Sequence, residues 1–535
     1  MMEYLCADGD EYPVLTPGDM RRMEEKAFSL GVSSLLLMEH AAMAVVDELE
    51  KALGGGCQGK SVLFLCGTGN NGGDGLAAAR LFCMRGGRAQ VWLYGESKAP
   101  EAAVNYQWLR LMRDVEILNL GAMPEADWPF DEGQRPNQPF DGYVDALLGT
   151  GFRGEPDGLM SRMMLVPYHD FHCMPMPPVI AVDIPSGIDG KTGRTPGAFV
   201  HADVTVTMNT PKPGLYLTKE REAVGRVVIA EIGLGDCMPW RSDLLLLEKP
   251  ELDCRMFTPL ALRRLPRRTI DAHKGKCGRI LIYAGSLGMA GAAAMCAQAA
   301  VTAGAGLTTI ACDREIMPVL QTLVPNAMCV DIQQAAQNPP PFDVLAVGCG
   351  LGQSGKTWEN LCRLYDPEKP AVWDADALNL LAKHPMKLGE KTVITPHVGE
   401  AARLLGWSAE AIIEDRLSAA RELTEKYGCV TVLKSDVTVI CADTFGGPEY
   451  YLNTVGSPAL AKGGSGDVLT GILAAVIGGF LPIVEPSQTG MAAALSCLWH
   501  GMAGIVGAEK FGERELTATQ LIGCLHEAET RAAEA

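Results

Sequence analysis

The chain has 535 residues, of which 47% are hydrophobic and 21% are charged, and its formal net charge is -18. This length exceeds the roughly 250 to 300 residues at which a single hydrophobic core stops growing, so a globular protein of at least two domains is expected. The negative charge argues against nonspecific binding to nucleic acid or to anionic membranes, because both depend on basic patches.

The 17 cysteines are scattered, with no Cys-x-x-Cys pair and no zinc-type spacing, which indicates buried thiols in a reducing compartment. The first residues lack the basic and then apolar order of a signal peptide. The most apolar segment, residues 472–484, is interrupted by glycine and proline and is shorter than the roughly 20 residues of a membrane-spanning helix. We therefore expect a cytoplasmic protein that has no membrane partner.

Short apolar runs alternate with longer mixed segments, which is typical of α/β domains with largely parallel sheets. One series of runs ends near residue 230 and a second begins after residue 255, with a segment rich in proline, leucine and acidic residues between them. We place the boundary near residue 250 and predict domains over 1–245 and 256–535. The predicted strands are 61–65, 89–94, 143–148, 179–183, 203–207 and 226–230, followed by 279–284, 307–311, 343–347, 371–374, 391–395 and 430–433.

The first predicted strand runs into the glycine-rich string CGTGNNGGDG at residues 66–75, and a helical pattern begins at Leu76. Glycines at such a junction let backbone N–H groups approach a phosphate at a helix N-terminus. The spacing is not that of the Rossmann fingerprint. Considered alone, the loop predicts a phosphate or dinucleotide site, and a tight structural turn is the alternative.

The string GNNGGDG at 69–75 is more specific. Together with DALLGTGFRG at 145–154 and DIPSG at 183–187, it resembles the amino-terminal domain of the NAD(P)H-hydrate epimerases. The resemblance implies a Rossmann-like three-layer fold and a potassium ion held by oxygens of Asn71, Asp145 and Ser186. It further implies dinucleotide contacts at Asn70, Asn71, Gly72, Gly73, Asp74, Gly149, Thr150, Gly151, Phe152, Arg153, Gly154, Glu155 and Asp183.

The chemistry of these residue types agrees with those roles, because amide, carboxylate and hydroxyl oxygens suit a hard cation. Asp183 is the candidate acid/base for inverting the hydrated carbon, since a carboxyl group at a strand end in a closed site can have its pKa raised. Two alternatives remain: Asp145 and Asp183 only cap turns, or the domain only binds or dimerises. Lys212 is not included in the predicted site, because a loop lysine is usually solvated.

A second glycine-rich string, KGGSGD at 462–467, precedes the apolar helical stretch 469–477. Successive glycine N–H groups at a helix start can stabilise a transferring phosphoryl group, and Asp467 is placed to take a proton from an attacking hydroxyl. A helix-capping Asp is the alternative. The string resembles the anion-hole motif of the ribokinase-like superfamily.

Further strings follow in the order seen in NAD(P)H-hydrate dehydratases: HKG at 273–275, AGS at 284–286, GCGLG at 348–352, DADALN at 374–379 and TPHVGE at 395–400. The resemblance therefore extends over nearly the whole chain, to the fused bifunctional repair enzymes, and implies a ribokinase-like α/β second domain. It implies hydrate contacts at Ala292, Gly350, His397 and Asp467, and adenine-nucleotide contacts at Lys434, Ser435, Asp436, Val437, Thr438 and Gly466.

Two departures from the family pattern occur. Cys349 stands where proline is common, and Ser435-Asp436 replaces small residues after the lysine, which would put a negative charge beside phosphates unless Asp436 points away. His397 taken alone would more often cap a helix. Asp376 and Asn379 are candidates either for holding magnesium or phosphate or for capping a helix.

The resemblance implies that the first domain interconverts the R and S forms of NAD(P)H hydrate, and that the second dehydrates the S form to NAD(P)H with magnesium and ADP or ATP. Asp467 would help the hydroxyl of the hydrate attack the terminal phosphoryl group, and loss of phosphate would restore the ring. The alternatives are a ribokinase-like small-molecule kinase fused to a nucleotide-binding domain, and a nucleotide-binding scaffold without turnover. Related domains suggest a homo-oligomer.

Overall fold

A computed structural model describes residues 9–97, 99–130, 136–168, 176–234, 250–482 and 485–534. The contacts divide the chain into two compact units, of which the first contains Pro13–Leu252 and the second contains Gly9–Tyr12 with Asp253–Ala535. Residues 9–12 thus belong to the second unit although they precede the first in the sequence. The predicted first domain is contiguous and does not allow for this. The predicted end of the first domain, at residue 245, lies outside the described residues.

The first unit is a parallel sheet covered by helices on both faces, as the sequence predicts. Strand β1 (Glu11–Pro13) belongs to the second sheet. The strands of the first sheet are β2 (Ser61–Cys66), β3 (Arg88–Leu93), β4 (Val115–Asn119), β5 (Gly142–Ala146), β6 (Val179–Val182), β7 (Val204–Met208) and β8 (Arg226–Ala230). All neighbouring strands pair in parallel, in the order β4-β3-β2-β5-β6-β7-β8.

Alternate residues of each strand point to opposite faces of this sheet. Val62 and Phe64 of β2 lie in the larger core, whereas Leu63 and Leu65 lie in a second core on the other face. Both faces are therefore buried, which explains the nearly continuous apolar strands. The helices of this unit are α1 (Pro17–Ser29), α2 (Ser34–Ala52), α3 (Asn70–Met84), α4 (Pro100–Leu109), α5 (Gly158–Leu165) and α6 (Pro213–Leu217).

The second unit has an eleven-stranded sheet of order β1-β9-β18-β17-β16-β15-β14-β13-β10-β11-β12. Its strands after β1 are β9 (Asp253–Phe257), β10 (Arg279–Tyr283), β11 (Leu307–Cys312), β12 (Met328–Asp331), β13 (Val344–Val347), β14 (Ala371–Trp373), β15 (Thr392–Ile394), β16 (Val430–Leu433), β17 (Thr438–Thr444) and β18 (Gly447–Asn453). Strands β10 to β16 pair in parallel, and the hairpin of β17 and β18 extends this parallel core antiparallel to β16.

Helices also cover this second sheet. They are α7 (Ala290–Thr302), α8 (Met317–Leu323), α9 (Ile332–Gln337), α10 (Gly355–Leu364), α11 (Asp376–Lys383), α12 (Val398–Leu405), α13 (Ala409–Glu414), α14 (Arg416–Tyr427), α15 (Ser465–Gly479), α16 (Pro486–Phe511), α17 (Ala518–Gly523) and α18 (Leu525–Glu534). The predicted α/β fold class is confirmed in both units.

Helix α16 is, within the described part of the chain, the one helix long and apolar enough to cross a membrane, and 78% of its most apolar window is buried in the unit. The sequence pattern instead indicates 472–484 as the most apolar segment. The structure assigns 472–479 to α15, and both α15 and α16 contribute side chains to the same hydrophobic core.

Candidate active sites

A cavity of about 660 Å³ lies in the first unit at the carboxyl ends of the central strands. Ligands of parallel α/β sheets bind at this edge. Of the predicted dinucleotide contacts, those that line the cavity are Asn70, Asn71, Asp74, Gly149, Thr150, Gly151, Phe152, Glu155 and Asp183. The structure therefore gathers three separate predicted segments around one cavity.

Four of the predicted contacts are not among the residues lining this cavity: Gly72, Gly73, Arg153 and Gly154. Helix α3 begins at Asn70, six residues before the predicted Leu76, so the glycine pair is helical. A Cβ atom at Gly72 would lie 2.0 Å from the carbonyl oxygen of Gly67, and one at Gly73 would lie 2.5 Å from Cε of Met38. These two glycines allow close packing beneath the loop.

The three residues predicted to hold potassium lie together beside the backbone of Leu148. The Ser186 hydroxyl donates to Oδ1 of Asp145 at 2.6 Å, and the Asn71 amide donates to the Leu148 carbonyl at 3.1 Å. Asp145 is fully buried, and burial raises its pKa to about 6 although hydrogen bonds from Ser186 and Leu147 oppose the rise. No Lys or Arg of the described residues forms an ion pair with this carboxylate. A buried carboxylate without a cation, next to hydroxyl and amide oxygens, fits a hard monovalent ion.

Asp183 follows β6 with a φ of +65°, in the left-handed region that non-glycine residues seldom adopt. Such strain is often found at functional sites. Its Oδ1 accepts hydrogen bonds from Lys212 Nζ at 2.6 Å, from the Met208 N–H at 3.1 Å and from the Thr207 hydroxyl at 3.3 Å. The carboxylate is thereby fixed at the edge of the cavity.

Lys212 is a site residue that the sequence analysis left out, and the expectation that it is solvated is wrong. Its side chain is only 2% exposed and it lines the cavity with Asp183. Glu24 of α1 lines the same cavity and was not predicted at all. The position of Lys212 shortly after β7 was the available signal, whereas nothing local marked Glu24.

The loop around Asp467 in the second unit also begins a helix. Gly464 has a φ of +93°, and α15 starts at Ser465 with Asp467 in its first turn. Ligand atoms of Asp467, Asp374 and Cys349 lie within 4.8 Å of one another. Burial raises the pKa of Asp467 to about 6; the Cys349 thiol and Lys434 oppose this rise, and Asp374 adds to it.

Asp374 is the buried centre of this second site. Its Oδ1 accepts from Lys434 Nζ at 2.8 Å and from the Thr395 hydroxyl at 2.7 Å, and its Oδ2 accepts from the Thr470 hydroxyl at 3.0 Å. A Cβ atom at Gly466 would lie 3.5 Å from Lys434 Nζ, so these two predicted nucleotide-binding residues are close together. The sequence analysis did not assign a role to Asp374.

Asp436, an acidic residue where the family pattern has a small one, is paired with an arginine in the structure. Its Oδ1 accepts from Nη1 of Arg416 at 2.7 Å, and the same nitrogen donates to the Ser435 hydroxyl at 3.0 Å. Val437 is buried, and Thr438 begins β17. The negative charge of Asp436 is therefore neutralised within the unit instead of facing a phosphate alone.

The predicted hydrate contacts of the second unit, Ala292, Gly350, His397 and Asp467, lie on four segments of the chain. A Cβ atom at Gly350 would lie 3.0 Å from Cβ of Ala292, and His397 forms a parallel bridge with Lys434. His397 caps α12, because its Nδ1 accepts the Gly399 N–H at 2.9 Å. Burial, together with the charges of Lys434 and Arg403, lowers the pKa of this histidine.

Two further candidates are engaged in local hydrogen bonds. Asp376 accepts from the Gly352 N–H at 2.8 Å and from the Gln353 amide at 2.9 Å, and Asn379 accepts from Arg403 Nε at 3.0 Å. Asp376 thus holds the loop that contains Gly350. Its structural role is evident, whereas a role in holding magnesium stays a prediction.

His500 of α16 lies beneath the glycine loop and was not predicted. Its Nε2 is 3.2 Å from the Ser465 hydroxyl and 3.1 Å from the Ser465 carbonyl oxygen, and the ring is 8% exposed. Burial lowers its pKa to about 4, so the ring is neutral near pH 7. A buried histidine of this kind has no local sequence signal.

Both units thus combine a glycine-rich helix start with carboxyl groups whose pKa values are raised, at the edge of a parallel sheet. This arrangement defines a two-site α/β enzyme for phosphate-bearing ligands. Residues 34–214 match the family model described as YjeF-related protein N-terminus, and residues 280–526 match that of NAD(P)H-hydrate dehydratase.

Curated relatives match along nearly the whole chain. The chain is 37% identical to the bifunctional NAD(P)H-hydrate repair enzyme Nnr of Escherichia coli K12 over 517 residues, covering 95% of this chain and 92% of that protein. It is 34% identical to the enzyme of the same name from Coxiella burnetii over 509 residues, covering 94% and 96%. The chain belongs to the family of bifunctional NAD(P)H-hydrate repair enzymes, as its sequence motifs indicated.

Among solved structures, the ADP/ATP-dependent NAD(P)H-hydrate dehydratase of Bacillus subtilis, co-crystallized with ATP/Mg2+, is similar to part of this chain. Its sequence is 29% identical, with a TM-score of 0.46, and the match covers 51% of this chain and 97% of that one.

Proposed function

We propose that this chain repairs hydrated nicotinamide dinucleotides in two steps. The first unit interconverts the R and S forms of NAD(P)H hydrate, and the second converts the S form to NAD(P)H at the expense of ADP or ATP. The observation that carries the proposal is that each unit has a carboxyl group at the edge of its sheet where a ligand would bind. These groups are Asp183 at the large cavity and Asp467 at the glycine loop. Family membership over the whole chain supports the same assignment.

The dehydratase step follows from the chemistry of the second site. A hydroxyl is a poor leaving group, so the hydrate hydroxyl attacks the terminal phosphoryl group of ADP or ATP while Asp467 takes its proton. The phosphoanhydride bond breaks, and AMP or ADP leaves. The C–O bond of the resulting phosphate ester then breaks as a neighbouring C–H proton passes to water, which restores the ring double bond and releases phosphate. The N–H groups of Gly463, Gly464 and Gly466 and the Lys434 ammonium would stabilise the developing negative charge.

Two cations complete the proposal. Carboxylate oxygens of Asp374 and Asp467 are of the kind magnesium binds, and the ion would supply charge neutralisation on the phosphates. Asn71, Asp145 and Ser186 would hold potassium in the first unit, where it would compensate the buried carboxylate. A homo-oligomeric state and a cytoplasmic location stay predictions.

Two variants test the proposal, each with the other active site as its control. In Asp183→Ala, the S hydrate should still be dehydrated, whereas the R hydrate should be consumed only at its spontaneous rate of epimerisation. In Asp467→Asn, R and S should equilibrate but no NAD(P)H should form. A stable phosphorylated product that never regenerates the dihydronicotinamide chromophore would instead establish the ribokinase-like kinase. Binding without turnover of nucleotide or hydrate would establish the scaffold.

A further inference from the structure

Six carboxyl groups line the cavity of the first unit, whereas its basic lining residues are Arg21 and Lys212. Asp183, Asp74, Glu24 and Lys212 all line it, although they come from four different segments of the chain. Asp74 lies one turn into α3, after the helix start that carries the predicted dinucleotide contacts. Because like charges in a confined site repel, ionising every carboxyl group costs free energy in a cavity that holds more acids than bases.

The hydrogen bonds show which carboxyl group is paired with the Lys212 ammonium. Lys212 Nζ donates to Asp183 Oδ1 at 2.6 Å, to the Met208 carbonyl at 2.8 Å and to the Thr207 hydroxyl at 3.1 Å. An ammonium group has three protons. All three have acceptors within the protein, so Lys212 has no proton left to give to a substrate.

Asp183 is bound asymmetrically. All three described hydrogen bonds to its carboxylate go to Oδ1, and no donor among the described residues reaches Oδ2. The anchored oxygen holds the carboxylate in place beside Lys212. Oδ2 is therefore the atom available to accept a proton in the cavity.

Among the described residues, no lysine or arginine forms an ion pair with Asp74. Burial, followed by the charges of Asp183 and Glu24, raises the pKa of Asp74 well above its ordinary value. Glu24 also has a raised pKa through burial and Asp183, although Lys212 and Arg21 oppose the rise. The charges that act on Asp74 are thus those of two carboxyl groups, and the Lys212 ammonium is bonded to one of them.

We propose that Asp74, in its protonated form, is the general acid of the epimerisation and that it works together with Asp183 Oδ2 as the general base. This inference rests on the proposed epimerase function of the cavity and assigns the second proton-transfer group of that reaction. Glu24 is a positioning residue that keeps the proton on Asp74.

The step balances without any further reactant. Hydration of an enamine double bond places the hydroxyl on the carbon bonded to the ring nitrogen. Asp183 takes the hydroxyl proton, the oxygen electrons form a carbonyl, the carbon–nitrogen bond breaks, and Asp74 gives its proton to the nitrogen. Rotation about the adjacent carbon–carbon bond presents the other carbonyl face. The nitrogen then attacks that face, returns its proton to Asp74, and the oxygen regains the proton from Asp183.

The Asp74→Asn variant tests the assignment, because an amide of the same shape cannot transfer the proton. We expect kcat for epimerisation of stereochemically pure R hydrate to fall by about 100-fold or more, with little change in KM, and Asp74→Glu to recover part of the rate. Dehydration of S hydrate by the second unit of the same protein should be unchanged. Asp114→Asn, an exposed position before β4, is the matched control and should epimerise normally.

A pH profile separates catalysis from a structural role. The wild-type kcat should fall as the pH rises through the pKa of Asp74, since the acid then loses its proton. Removing the neighbouring carboxylate in Glu24→Gln lowers the pKa of Asp74, so this fall should move to lower pH. Retention of kcat within about twofold in Asp74→Asn, or an unmoved profile in Glu24→Gln, would overturn the assignment. If instead the wild-type protein does not epimerise the hydrate, the proposed function itself is wrong.

Discussion

Replacing Asp467 by Asn should make the second unit more stable while abolishing its dehydratase activity. Folding raises the pKa of this partly buried carboxyl from its ordinary 3.8 to about 6. A rise of about two pKa units corresponds to about 3 kcal/mol of free energy that opposes folding when the group is ionised. The neutral amide removes that cost, so the melting temperature of the second unit should increase by about 5 to 10 °C at most.

The pH dependence of this gain follows from the direction of the shift. The folded state binds the proton more tightly than the unfolded state, so the wild type loses stability as the pH rises from about 4 to about 6. The advantage of Asp467→Asn should therefore be complete near pH 7 and vanish near pH 4. Differential scanning calorimetry at both pH values measures it, with Asp443→Asn as an exposed control expected to change stability by less than about 0.5 kcal/mol. A loss of stability at pH 7, or a gain that does not depend on pH, would refute the reasoning.

Three further changes test the remaining parts of the two sites. Potassium at one hundred times its Kd should stabilise the first unit by about 2.7 kcal/mol and so raise its melting temperature, and Asp145→Ala should remove this dependence in thermal scans that compare potassium with choline. Lys434→Met leaves the Asp374 carboxylate buried without its cation, so urea unfolding should show a loss of about 3 to 5 kcal/mol in the free energy of unfolding. Because Lys434 also lowers the pKa of Asp467, the rising limb of the dehydratase pH profile should move to higher pH. His500→Ala removes the partner of Ser465 beneath the glycine loop, and we expect a loss of about 1 to 3 kcal/mol in unfolding experiments and a higher KM for nucleotide, with epimerase kinetics unchanged.

Much of the fold could be predicted because apolar strands alternate with helical segments at regular spacing. The edge strands β4 and β12 were missed, since short half-exposed strands lack a continuous apolar run. The hairpin of β17 and β18 was also missed, and so was the association of residues 9–12 with the second unit. Pairing between distant segments depends on tertiary packing, which no local pattern reports.

The sites were predictable where a motif follows a strand. Asp145 lies near the end of β5 and Ser186 follows the neighbouring β6, and parallel strands that lie side by side bring their carboxyl ends together. Glu24 could not be found in this way, and the position of Lys212 shortly after β7 did not show that its side chain is buried. The burial of Lys212 depends on acceptors from β7 and from Asp183, and Glu24 reaches the cavity from a helix that precedes the sheet.

The most direct test of the whole account is the absorbance of the dihydronicotinamide chromophore during incubation of the purified protein with separate R and S NADH hydrates. Magnesium and potassium are present, and ADP, ATP and no nucleotide are compared. The account predicts full recovery from both hydrates, only with nucleotide, and with R recovering faster than spontaneous epimerisation allows. Nucleotide consumption with other small alcohols while both hydrates stay unconverted would contradict it.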